Sequence, residues 1–181
     1  MKTLELKSQI PAWARDLRVN LGNVLQSEHL TEQQLWGTAL AVATATRHPE
    51  LLAAVDADAR EHLSEEAYAD ALTAASLMAM NNIYYRFVHL VPEQAYGKMP
   101  ARLRMQGIAQ HSVPKADFEL WSLAVSAVNG CGMCLGSHER TLVKEGITRE
   151  VVQDAVRLAS VLHAAAVTLE TAAVTQVTTT S

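Results

Sequence analysis

Two thiols, an imidazole and a carboxylate stand close together in this chain. Cys131 and Cys134 frame Cys131-Gly132-Met133-Cys134, His138 follows four residues later, and Glu119 precedes the first thiol by twelve. No other cysteine occurs in the 181 residues. Thiols at this spacing can close a disulfide or bind a soft metal as thiolates. An imidazole can take a thiol's proton, and a carboxylate can hold that imidazole in position, which is the general logic of an activated nucleophile. On a helix beginning at Gly130 or Cys131, the residues Cys131, Cys134 and His138 fall at i, i+3 and i+7 and share one face. The thiols then occupy the first turn, where free N–H groups and the helix dipole favour a thiolate. If the preceding helix folds back antiparallel, Glu119 lies about 16 Å along it from the turn, at roughly 1.5 Å per residue. That puts the carboxylate level with His138 to Leu142.

Other readings of the same residues stay open at this point. Zinc takes four ligands, and Cys131, Cys134 and His138 supply three, so a structural zinc module would need His111 or His163 as the fourth. A thioredoxin-like setting is excluded, because no alternating strand pattern supplies its βαβ context. No glycine-rich phosphate loop is present, which argues against nucleotide-dependent chemistry. Position at a helix start favours Cys131 as the nucleophile, whereas proximity to His138 favours Cys134. Trp36 and Trp121 read as core anchors, and Met78, Met80, Tyr84 and Tyr85 as packing residues rather than a cofactor box.

The elements that must position these groups are helical. Apolar residues make up 49% of the chain, charged residues 19%, and the net charge is −4 with no Lys/Arg cluster. This is globular composition with no signature of a nucleic-acid or acidic-membrane partner. Met1 to Asn20 carries charges throughout and no apolar core, so no secretory signal is expected there. The Ala-rich stretches are broken by polar residues, so no membrane span is expected and the cytoplasm is the default location. In that reducing compartment a C-x-x-C is expected to be redox-active or metal-binding rather than a static staple.

Glycines and prolines number eight and five and fall at segment ends, while Ala and Leu fill the pieces between. An all-α single domain spanning residues 1–181 follows. Pro11 suits the first turn of a helix through Leu17, Leu21 and Val24. Thr31-Glu32-Gln33-Gln34 matches a capping box and opens a helix through Ala43. Pro49 starts a short helix, and Ser64 opens a long one reaching Met80 and as far as Phe87. Val91 to Pro114 reads as a connecting loop with at most a short helix near Arg102 to Gly107. Helices follow from Pro114 to Asn129 and from Cys131 to Glu145, with Gly146 as a stop and Thr148 capping the last. The Thr-rich tail from Thr175 reads as frayed.

The two halves, about 31–88 and 114–170, resemble each other. Leu35-Trp36 corresponds to Leu120-Trp121, and Asp70-Ala71-Leu72 to Asp154-Ala155-Val156. An internal helical repeat is the reading. At that offset Gln34 stands where Glu119 does, and Thr46, Pro49 and Ala53 stand opposite Cys131, Cys134 and His138. The chemistry belongs to one copy alone.

The pattern Glu119-x11-Cys131-x2-Cys134-x3-His138 resembles the alkyl hydroperoxidase D family, within the larger carboxymuconolactone decarboxylase-like group. So do the flanks Pro114 to Ser122, Gln34-Leu35-Trp36-Gly37-Thr38 and Met80-Asn81-Asn82-Ile83-Tyr84-Tyr85-Arg86. The likeness runs from about Leu4 to Glu170. It implies an all-helical fold with an internal repeat, a homotrimer, and an antioxidant alkyl hydroperoxide reductase working through a thiol/disulfide cycle. It further implies no bound cofactor or metal, electrons from dihydrolipoyl groups of a lipoyl-bearing protein, and an AhpC-type peroxiredoxin as partner. By the family pattern Cys134 reacts with the hydroperoxide, Cys131 closes the Cys131–Cys134 disulfide, and Glu119 and His138 relay the proton. Some relatives carry a histidine just before the second cysteine; Met133 stands there instead, which leaves the relay to His138 and Glu119. A non-redox decarboxylase-like enzyme acting on a lactone acid is the alternative within the same group, although such chemistry has no need of two thiols.

Overall fold

The computed structural model describes residues 1–175, and all regular structure in that range is helical. The helices are α1 (Lys2–Glu5), α2 (Arg15–Val24), α3 (Glu32–Thr46), α4 (Pro49–His62), α5 (Glu65–Leu90), α6 (Ala95–Lys98), α7 (Lys115–Val128), α8 (Gly132–Lys144) and α9 (Arg149–Thr175). The all-α expectation holds. Thr175, where the tail expected to fray begins, still lies in α9; the rest of that tail, residues 176–181, lies outside the described range.

Local signals place most of the boundaries. Thr31 Oγ1 accepts from Gln34 N and Gln34 Oε1 accepts from Thr31 N, the reciprocal capping box that starts α3. Pro49 occupies the first turn of α4, and the Ser64 side chain accepts from Ala67 N at the start of α5. Pro11 leads into a short 3-10 turn that runs on into α2. The segment from Val91 to Pro114 departs from expectation. Its α-helical turn is α6, upstream of the residues expected to be helical, and Gln106–Ile108 forms a 3-10 turn. This segment packs few side chains inside, so intrinsic propensity had little periodicity to reinforce it.

Two helices form the centre. All residues from Gln34 to Ala43 of α3 are buried, as are all from Asp117 to Ser126 of α7. A helix buried on every side needs small residues where neighbours approach closely. Gly37 is the sharpest case, because a Cβ there would lie 2.2 Å from Trp121 Cε2. Trp36 and Trp121 are both core residues, as expected. Around this pair, α4 packs on α3 and α8 on α7, while α5 and α9 each touch both central helices.

The ties between segments are also reciprocal. Asp70 of α5 accepts from the Ser112 and Val113 amides, just ahead of α7. Asp154 of α9 accepts from Ser27 Oγ and pairs with His29 Nδ1, just ahead of α3. By length and composition α9 could cross a membrane. It packs instead on α2, α3 and α7, burying Leu158, Leu162 and Leu169 among others.

Candidate active site

The turn between α7 and α8 positions the thiols. Gly130 has φ +68°, the left-handed conformation that costs a glycine nothing. Its N–H donates to Ala127 O and that of Cys131 to Ser126 O, the paired bonds of a Schellman stop. The reversal is short, and Cys131 emerges from it as the N-cap of α8. The expected helix start is therefore displaced to Gly132. Cys131 keeps an extended backbone, and its Sγ accepts from the Cys134 amide at 3.3 Å. His48 caps the start of α4 in the same way, its Nδ1 accepting from Leu51 N.

The two sulfurs are paired as a disulfide, with Cα atoms 5.4 Å apart. Their surroundings differ. Cys131 is 0% exposed and Cys134 6%. Cys134 lines a cavity of about 560 Å³ that also receives Glu119 and His138. The usual pattern, in which the first cysteine of such a pair is the accessible one, is reversed. Burial of Cys131 in the cap, with its sulfur turned to the backbone of α8, accounts for the reversal.

One turn beyond Cys134, His138 Nδ1 lies 2.6 Å from Glu119 Oε2, and both side chains are nearly buried. With Glu119 as a carboxylate, Nδ1–H donates and the ring orientation is set. The other nitrogen, Nε2, faces Met78 Sδ at 3.3 Å. The antiparallel α7–α8 hairpin thus brings Glu119 and His138 together, as their spacing predicts.

A third helix completes the site. Met78, Asn81 and Tyr85 of α5 fall at i, i+3 and i+7 and line the cavity, joined by Met105 and Ile108 from the segment before α7. Met133, 38% exposed, stands at the same opening. The sequence pattern reads Met78 and Tyr85 as packing residues. Met78 packs against His138, and Tyr85 lines the same cavity with its OH directed to Met105 Sδ. Their signal was the helical spacing that joins them to Asn81, an interior polar residue within an Ala-rich helix.

α5 also braces the turn. Asn82 Nδ2 donates to Ser126 Oγ, Asn129 Nδ2 donates to Asn82 Oδ1, and Arg86 Nη1 donates to Asn129 O. Neither His111 nor His163 joins the thiols. His111 Nδ1 lies 2.8 Å from Val113 O and its ring stacks on Phe118, while His163 lines a separate cavity beside Arg47 and Arg86. Among the described residues, no group of three or more His, Cys, Asp or Glu is arranged to hold a metal ion.

Residues 94–177 match the carboxymuconolactone decarboxylase family. Curated relatives named alkyl hydroperoxide reductase AhpD match nearly the whole chain. That of Streptomyces griseus is 54% identical over 170 residues, covering 94% of this chain and 96% of its own. That of Frankia alni is 54% identical over 170 residues, covering 94% and 92%. That of a Bradyrhizobium species is 53% identical over 175 residues, covering 97% of each. Identity at this level across both halves extends the likeness well beyond the cysteine motif. The chain belongs to the AhpD family of alkyl hydroperoxide reductases, within the carboxymuconolactone decarboxylase group.

Proposed function

We propose that the protein is an antioxidant alkyl hydroperoxide reductase in which Cys134 attacks the hydroperoxide and Cys131 resolves the product. One observation carries the assignment of roles: Cys134 opens on the cavity that holds the Glu119–His138 pair, while Cys131 lies buried behind it. His138, oriented by Glu119, takes the Cys134 proton. The thiolate attacks the terminal oxygen of ROOH, the O–O bond breaks, and the proton passes to the departing alkoxide to give ROH. Cys134 is left as a sulfenic acid. The Cys131 sulfur then attacks it, forming the disulfide and releasing water.

Return to the dithiol needs two electrons and two protons. In this reading dihydrolipoyl groups of a lipoyl-bearing protein supply them, and an AhpC-type peroxiredoxin is the functional partner. No bound cofactor enters the cycle. The relatives' names and the paired thiols support this reading, as does the cavity's apolar wall, which suits an organic hydroperoxide. It takes the chain as one cytoplasmic domain of two helical units, about 31–88 and 114–170, assembled as a homotrimer.

The test is mass spectrometry of reduced protein after one equivalent of an organic hydroperoxide. A loss of two hydrogens within one chain, restored by dihydrolipoamide, is expected. Cys131→Ser should accumulate a sulfenic acid trapped by a dimedone probe, and Cys134→Ser should not. Intact thiols in the wild type would overturn the redox reading, and the reverse labelling would transfer the attack to Cys131.

A further inference from the structure

α5 places two consecutive asparagines in the interior with opposite fates. Asn82, turned toward α7, is occupied on both sides of its amide: it donates to Ser126 Oγ at 2.9 Å and accepts from Asn129 Nδ2 at 3.0 Å. Asn81 is 4% exposed, lines the cavity, and its Oδ1 has no hydrogen-bond partner. A buried acceptor left unpaired costs about 1–3 kcal/mol, and Asn in a helix interior adds a further propensity cost relative to Ala. No hydrogen bond from the described residues reaches that oxygen. The residue lines the same chamber as Cys134, Glu119 and His138.

We infer that Asn81 binds the hydroperoxide, its Oδ1 accepting the hydrogen of the O–O–H group and so holding the terminal oxygen toward Cys134. The inference rests on the hydroperoxide reading above. Glu119 Oε2 is engaged by His138, whereas no protein group engages Asn81 Oδ1. A neutral amide is suited to the task because it cannot take the proton. The hydrogen on the terminal oxygen is not the one transferred: that oxygen becomes the sulfenic OH with its hydrogen in place, while the alkoxide receives the proton drawn from Cys134. Asn81 can therefore hold one O–H group from substrate through to sulfenic acid. The hydrogen bond is released only when that oxygen leaves as water.

The experiment compares wild type with Asn81→Ala and Asn81→Leu, the second keeping the side chain's volume. Reduced protein is oxidised in single turnover by cumene hydroperoxide and, separately, by diamide, which forms disulfides without an O–O–H group. Reduction of the disulfide by dihydrolipoamide is also measured. Both variants are expected to react with cumene hydroperoxide about 10- to 100-fold more slowly, the loss expected for one oriented hydrogen bond. Their diamide and dihydrolipoamide rates should match wild type, and Asn81→Ala should melt no lower than wild type. Unchanged hydroperoxide rates would overturn the inference, as would a parallel loss with diamide or loss of the fold in both variants. A wild type that diamide oxidises and cumene hydroperoxide does not would instead remove the underlying reading of function.

Discussion

In the proposed cycle His138 and Glu119 move the proton of the Cys134 thiol. An unperturbed thiol with pKa about 8.5 is only a few per cent thiolate at pH 7. Removing that proton and delivering one to the leaving oxygen is general acid–base work, typically about 100- to 10,000-fold in rate. His138→Phe and Glu119→Phe should each lose peroxidase activity by a factor in that range while keeping their helical circular dichroism. Because Glu119 touches His138 at 2.6 Å, the double variant should lose far less than the product of the single losses. Multiplicative losses in steady-state assays would show two independent roles. Near-normal activity in either folded single variant would return that residue to a packing role.

At the scale of elements, the close approach of α3 and α7 is the most exposed to substitution. Gly37→Ala would drive a methyl into the Trp121 indole, which is fully buried and has no room to withdraw. A loss of about 1–3 kcal/mol is expected, read as a lowered denaturant midpoint. A midpoint equal to wild type would mean that the two helices can separate at no cost. The tie of α9 to the segment before α3 is electrostatic and responds to pH. Burial alone would raise the Asp154 pKa, but hydrogen bonds from Ser27, His29 and Arg157 hold it below the ordinary 3.8. A depressed carboxylate pKa contributes stability above its unfolded value and loses it as pH falls through the folded one. The stability gap between wild type and Asp154→Asn should therefore be full at neutral pH and shrink as pH drops below about 4. A gap that does not change with pH in urea titrations would assign the tie to geometry alone.

What could be foreseen follows the same division between local and distant causes. The Thr31 capping box, Pro49, Ser64 and Gly146 act within a few residues, so the sequence displays them. Glu119 and His138 meet across one hairpin, and a simple rise per residue predicts their meeting. Met78, Asn81 and Tyr85 are different. They line the cavity beside Cys134 because α5 packs against α8, and nothing near the cysteines encodes that contact. The same holds for the burial of Cys131, which depends on cap geometry at Gly130 and not on the order of the two cysteines.

The homotrimer proposed above needs an apolar face, and the outer end of α5 has one. Ile83, Phe87 and Leu90 are exposed along one side of the helix, with Tyr96 packed edge-on against Phe87 and Met99 close by in sequence. Exposed apolar clusters of this kind mark association surfaces. Light scattering should give about three times the chain mass of 19.7 kDa, and Leu90→Asp should lower it. A wild-type mass of one chain would remove the trimer, and an unaffected variant would move the contact elsewhere.

The burial of α3 also bears on how the chain is made. Ten successive residues of this helix, Gln34 to Ala43, are covered chiefly by α4, α5, α7 and α9. The last of these runs to Thr175, more than a hundred residues further along the chain. At roughly 5–20 residues per second, α3 waits on the order of ten seconds after leaving the ribosome before its covering is complete. Throughout that interval an apolar segment with no partner of its own is open to chaperones, or to the same segment of a neighbouring nascent chain.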